Sequence, residues 1–173
     1  MSLHIIIDGY NLIRQSPLLS SLDRRDIQIG RRALLDLLAS YKKNKPHRIT
    51  VVFDGISDSV YSSAKEKIKG IEVRFSRRPD SADTVIKELA SDYRENALIV
   101  SSDMDVVRFA EAKGSATISS PLFENKIRAA ASYLYDSGTE NDEEERRTDT
   151  KKKGPSRRLS RKMRHNVAKA GMI

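Results

Sequence analysis

The succession of apolar runs and helical repeats predicts an α/β protein, a three-layer α/β/α sandwich around a mainly parallel five-stranded sheet. Three observations carry that expectation. Strand-like and helix-like segments alternate over the first 137 residues, the pattern of βα units whose right-handed crossovers put helices on both faces. The runs Ile5-Ile6-Ile7 and Leu98-Ile99-Val100 are short and rich in branched side chains, which suits strands buried on both faces. Two runs also stop at Asp-Gly, at Asp8-Gly9 and Asp54-Gly55, where a strand gives way to a turn.

The elements follow in order. The first strand opens at Leu3 and ends on Asp8. Leu12 to Leu22 reads as a loop around Pro17. Asp23 is a candidate cap for a helix to about Lys43. Ile27, Leu34, Leu37, Leu38 and Tyr41 share one face of it, with Arg24, Arg25, Arg31, Arg32 and Lys42 off that face. A second strand, Ile49 to Asp54, leads into the polar stretch 56–70, read as a loop with at most a short helix. Gly70 precedes a third strand, Ile71 to Phe75, and Ser76 to Asp80 is a loop. Ser81 caps a helix to about Glu95, and Ala97 to Ser101 is the fourth strand. A short helix from Met104 to Lys113 closes at Gly114. Ser115 to Ser119 is a fifth strand, and Ser120-Pro121 starts a last helix that stops near Gly138.

Composition narrows the class. A chain of 173 residues suffices for one domain with a substantial core. No run of about 18 apolar residues is present, so no transmembrane helix is expected. The short apolar start lacks a basic region before it, so no secretory signal is expected. There are no cysteines. Disulfides, thiolate zinc sites and cysteine nucleophiles are therefore excluded, which fits a reducing cytoplasm.

The net charge of +8 is unevenly placed. Residues 151–173 hold nine basic residues and no acid, while residues 1–150 hold 23 basic against 24 acidic. The chain thus divides into a domain at 1–137, an acidic linker at 138–150 and a basic tail at 151–173. The linker, with Glu140, Asp142, Glu143, Glu144 and Glu145 and almost nothing apolar, is expected to be disordered. In the tail Leu159, Met163, Val167 and Ala170 recur at helical spacing among Arg157, Arg158, Arg161, Lys162 and Arg164. Such a segment is too short to be stable alone and forms a helix on an anionic partner. The expected partner is RNA, ribosomal RNA and ribosomes included, bound non-specifically through phosphate neutralisation.

The acids at strand ends and helix starts are Asp8, Asp54, Asp83, Asp103 and Asp105. In a doubly wound sheet the first and fourth strands are expected to be neighbours at the topological switch point, so Asp8 and Asp103 face one crevice. Asp83 opens the helix that leads back to the fourth strand and can reach the same place. Carboxylates gathered there repel one another unless a cation lies between them, and hard oxygen ligands suit Mg²⁺ or Mn²⁺. Each acid also has a plainer reading. Ser102-x-x-Asp105 fits a capping box. Asp83 and Asp103 fit helix N-termini, Asp54 fits a turn, and Asp80 a solvated loop.

Four motifs in this order and spacing resemble the YacP-like NYN domain, within the PIN-like nuclease superfamily. They are Ile-Asp-Gly-Tyr-Asn at 7–11, Val-Phe-Asp-Gly at 52–55, Ser-Ala-Asp-Thr-Val-Ile at 81–86 and Val-Ser-Ser-Asp-Met-Asp at 100–105. The resemblance covers roughly residues 1–137. It implies a metal-dependent endoribonuclease with Asp8, Asp83 and Asp103 as metal-binding carboxylates. Asn11 would then orient a bound water or a phosphate, and Asp105 matches the second acid of the Ser-Asp-x-Asp motif. No small-molecule cofactor and no membrane partner is expected.

Arg14, Arg77 and Arg78 stand where they can hold an RNA backbone at the crevice mouth, or are solvated loop charges. Tyr10 can stack on a base or pack beneath the first loop. His4, His47 and His165 have no spacing that suggests zinc or a nucleophile's base. A non-catalytic RNA- or ribosome-binding adaptor with the same fold is the alternative to the nuclease. A phosphatase of the haloacid-dehalogenase type needs an Asp where Tyr10 stands, and a receiver domain needs an acidic pair on the first strand; both are disfavoured.

Overall fold

The computed structural model describes residues 3–55, 65–136, 166 and 168–172. Its elements run β1 (His4–Asp8), α1 (Gly9–Gln15), α2 (Pro17–Asp23), α3 (Ile27–Asn44), β2 (Arg48–Phe53), β3 (Lys65–Ile68), β4 (Ile71–Phe75), α4 (Ala82–Tyr93), β5 (Ala97–Val100), α5 (Met104–Ala112), β6 (Ala116–Ile118) and α6 (Ser120–Asp136). The strand order is β3-β4-β2-β1-β5-β6, parallel throughout except for β3, which runs antiparallel to β4.

The expected α/β sandwich is present, with three corrections. Among the described residues the sheet has six strands. Lys65–Ile68 pairs with β4 through a tight turn at Lys69-Gly70, both at positive φ (52° and 79°). Its sequence, Lys-Glu-Lys-Ile, has no apolar alternation, because both sides of this edge strand are largely exposed. Charge on an edge strand blocks pairing with other chains, and it also hides the strand from a hydropathy reading.

The stretch 12–22 is helical. Asp8 caps α1, and the Ser16 hydroxyl accepts from the Leu19 amide at 3.1 Å to cap α2. Pro17 is thus a helix starter, its fixed φ and missing N–H suiting the first turn. Asp26, accepting from the Gln28 amide at 2.6 Å, caps α3 in place of Asp23.

The sheet separates two apolar clusters. Ile5, Ile7, Val51, Phe53, Leu98 and Val100 pack toward α1, α2, α3 and α6. Ile6, Val52, Ala97 and Ile99 pack toward α4 and α5. Side chains alternate along a strand, so Asp8 follows Ile6 and Ser101 follows Ile99 onto the α4–α5 side. The three isoleucines of β1 are fully buried; each is worth about 1.5–3 kcal/mol of transfer free energy, which anchors the strand that carries Asp8.

The linker 138–150 and tail residues 151–165 lie outside the described residues, as does 56–64. Asn166 and residues 168–170 are helical. Ala170 packs against the larger core cluster, and the Asn166 side-chain carbonyl accepts from the Thr117 amide on the edge strand β6 at 3.2 Å.

Candidate active site

The candidate site lies at the carboxyl ends of β1, β2 and β5. The Asp8 carboxylate is 7% exposed. Its Oδ1 accepts from the Asn11 amide at 3.1 Å and its Oδ2 from the Ser101 hydroxyl at 3.2 Å. Burial first, then the charge of Asp83, raises its pKa to about 6, against the opposing pull of those two hydrogen bonds. The parallel register that pairs Ile7 with Val100 sets Asp8 beside Ser101. Ser101 Oγ also accepts from the Asp103 amide at 3.1 Å, so one hydroxyl ties Asp8 to the start of α5.

Asp103, not Ser102, caps α5: its Oδ1 accepts from the Asp105 amide at 2.8 Å. The Ser102 hydroxyl instead accepts from the Ser120 amide at 3.1 Å. Asp105 is exposed and pairs with Lys87 of α4. Asp83 lies in the first turn of α4. Burial first, then Asp103, raises its pKa, while Lys87 lowers it.

Asp54 has a positioning role that its Asp-Gly context did not disclose. Its Oδ1 accepts from the Ala82 amide at 2.8 Å, satisfying an orphan donor in the first turn of the helix that carries Asp83. Gly55 follows because a Cβ there would lie 2.3 Å from the Ser76 carbonyl oxygen. Gly9 has the same kind of reason: its Cβ would lie 2.3 Å from the Phe53 ring.

Asn11 is a hub. Its side-chain carbonyl accepts from the Ser102 amide (2.9 Å), the Ser120 hydroxyl (2.7 Å) and Gln15 Nε2 (3.0 Å). That oxygen is fully used in joining α1, the β5–α5 turn and α6. With its backbone amide donated to Asp8, the side-chain nitrogen Nδ2 is what Asn11 has left to face a ligand.

Asp8, Asp54, Asp83, Asp103 and Asp105 therefore belong to one electrostatic neighbourhood, since their charges act on each other's titration. The donor set is all carboxylate oxygen, which fits a hard divalent cation in its chemistry. Its geometry is not a finished cage. Among the described residues no three acids or histidines are gathered closely enough to hold one ion as they stand.

Arg14, Arg77 and Arg78 are exposed at this same end of the sheet. Arg157, Arg158, Arg161, Lys162 and Arg164 lie outside the described residues. Tyr10 packs inside: its ring meets Phe53 edge-on at 5.2 Å and its hydroxyl accepts from Arg31.

Arg31 corrects the helical-face reading. It is 8% exposed, its guanidinium lying 5.0–5.3 Å from the ring centres of Tyr10, Phe53 and Phe75. Helical spacing placed it off the apolar face; aromatic rings from three different segments supply cation–π partners that the spacing cannot reveal.

His4 and His47 serve the framework, and His165 lies outside the described residues. His4 Nε2 and Thr50 Oγ1 are 2.8 Å apart, and burial lowers the pKa of His4 to about 4, keeping it neutral. His47 Nδ1 accepts from the Leu3 amide at 3.4 Å.

Ser101 and Lys87 were not singled out by the sequence, and Ser102 and Ser120 only as helix-start residues. Serines are common in turns, and only strand register and helix packing give these four a common location.

A parallel sheet tipped with aspartates at its switch point, flanked by helices on both faces, has the architecture of the PIN-like nucleases. A profile of the YacP-like NYN domain matches residues 5–170, and the chain belongs to that family. A curated relative, described as the uncharacterized protein YacP of Bacillus subtilis (strain 168), is 31% identical over 87 residues, covering 50% of each chain. The chain thus spans about half the length of the curated relative it matches. The fold is that of the crystal structure of Rae1 (YacP) from Bacillus subtilis, with a TM-score of 0.64 at 22% identity over 80% of each chain. A mutant form of the same protein gives 0.65 at 21% identity, over 79% of this chain and 80% of that one.

Proposed function

We propose that this protein is a cytoplasmic Mg²⁺- or Mn²⁺-dependent endoribonuclease, and that its basic tail recruits it to RNA or to ribosomes. The observation that carries the reading is the convergence of Asp8, Asp83 and Asp103, from three elements, at one end of the sheet, with Asp8 and Asp83 each disfavoured as charged forms by burial and by a neighbouring carboxylate. A divalent cation held by these three supplies neutralisation of the acids and Lewis acidity toward a phosphodiester.

The chain's own groups do the rest. Asp8 is fixed in place by Asn11 and Ser101, and Asp103 by its role as helix cap. Lys87 holds Asp105 aside. The Asn11 side-chain nitrogen Nδ2 is available to a phosphate or water. Arg14, Arg77 and Arg78 carry charge suited to the RNA backbone flanking the cut. Among the described residues no helix is long and apolar enough to cross a membrane.

The test is cleavage of end-labelled RNA by the full chain with Mn²⁺, with EDTA and with Asp103→Asn. Cutting that EDTA and the substitution both abolish is expected. Metal-independent cutting, or retained cutting by the variant, refutes the assignment. The incomplete cage among the described residues favours one competitor, a non-catalytic RNA-binding adaptor; RNA binding with no cleavage under any divalent ion establishes it.

A further inference from the structure

A basic groove lies at the other end of β2 from the acidic crevice. Two adjoining depressions, each of about 560 Å³, share Lys42. Arg48, Lys65 and Lys67 line the first, and Lys43 and Lys69 the second. Six basic side chains thus face three acids, Asp36, Glu66 and Glu72.

Glu72 is already engaged by Arg74 at 2.7 Å, Arg48 at 3.0 Å and Lys65 at 3.4 Å, and Asp36 pairs with Lys69. Lys42 donates to the His47 carbonyl at 3.1 Å. Lys43 and Lys67 are exposed and have no ion pair among the described residues. Lys43 alone is explained as a cation complementing the C-terminus of α3. Lys65 and Lys67 come from the β3 hairpin, where charge also guards the sheet edge and Lys65 pairs with Glu72, leaving Lys67 as the hairpin's exposed cation without an ion pair among the described residues.

The lining chemistry selects the partner. No aromatic residue lines either depression, whereas protein interfaces are enriched in aromatics and depleted in lysine. Exposed ammonium groups on flexible stems are point-charge ligands for phosphate. Met172 lies beside the same groove, its carbonyl accepting from Lys45 Nζ and His47 Nε2, each at 3.3 Å.

We propose that this groove is a second RNA-backbone contact, about 20 Å from the crevice by the roughly 3.3 Å rise of each β2 residue. It holds RNA flanking the segment in the crevice. The proposal rests on the reading of the crevice as an RNA site. Long or folded RNA spans both contacts; a short oligonucleotide reaches the crevice alone.

The test compares the full chain carrying Asp8→Asn, to prevent cleavage, with the same chain carrying Lys43→Gln and Lys67→Gln. Each is titrated with a labelled hairpin of about 30 nucleotides and with a single-stranded hexamer between 50 and 200 mM salt. Two lost phosphate contacts are expected to reduce the salt slope by about 1–2 and hairpin affinity about five- to tenfold, leaving the hexamer unchanged. Unchanged hairpin affinity and slope overturn the proposal and assign the groove to an acidic protein partner. Equal loss for both RNAs also overturns it, since the effect is then one of overall charge. If the parent chain binds neither RNA, the crevice reading falls as well; if it binds and only the lysine comparison fails, the groove alone falls.

Discussion

Asp8→Asn is expected to stabilise the metal-free fold while abolishing cleavage. Burial and the neighbouring Asp83 raise Asp8 from 3.8 to about 6. A folded-state pKa above the unfolded value means that folding favours the protonated acid. That contribution is complete below about pH 4 and is lost as pH rises through 6. At 1.36 kcal/mol for each pH unit of displacement, the ionised carboxylate costs about 3 kcal/mol at pH 8. Asparagine keeps the shape and the acceptor for the Asn11 amide. It gives up the charge at the α1 cap and the hydrogen bond donated by Ser101, together worth about 1–2 kcal/mol. The net gain is about 1–2 kcal/mol at pH 8 in EDTA, a rise of about 2–8 °C in melting temperature for a domain of this size. Near pH 4 the gain disappears and turns into a small loss. His4, lowered to about 4, loses stability on acidification through about 6.5 to 4, but equally in both proteins, so the difference between them isolates Asp8. Thermal melts of both proteins from pH 4 to 8, with EDTA and then with Mn²⁺, provide the measurement. Mn²⁺ should raise the melting point of the parent and not of the variant. A variant less stable than the parent at pH 8 without metal, or a difference that does not vary with pH, would refute the reasoning.

Two further substitutions probe the supports. Asp54→Ala removes an acceptor from the first turn of α4 and should cost about 1 kcal/mol in urea titration, with cleavage slowed about tenfold as Asp83 loses its fixed position; full activity would show that Asp54 does not position it. Asn11→Ala leaves the Ser102 amide and the Ser120 hydroxyl without their shared acceptor and should cost about 2–3 kcal/mol; an unchanged denaturation midpoint would rule out the hub.

The parts of the fold that local physics controls were legible. Ile5-Ile6-Ile7 had to be a buried strand, Ser81 and Ser120-Pro121 stand where helices begin, and the Asp-Gly ends of β1 and β2 fall where the sheet stops. What misled was chemistry with two local meanings. Pro17 starts α2 instead of breaking the chain into a loop, because a proline suits both. Lys65–Ile68 is a strand that no apolar pattern marks, since both its sides are largely exposed. Asp26 won the cap of α3 over Asp23, three residues away and chemically identical.

By itself the sequence determined the class of sheet, the strand that carries Asp8, and the set of aspartates at strand ends and helix starts. Those depend on side-chain volume, β-branching and capping, all of which act within a few residues. Tertiary structure alone decided what surrounds them. The β1–β5 register sets Ser101 against Asp8, the meeting of α1 with the β5–α5 turn turns Asn11 into a three-way acceptor, and rings from three segments bury Arg31. Each joins residues far apart in the chain, so its energy comes from packing and register that no local periodicity encodes.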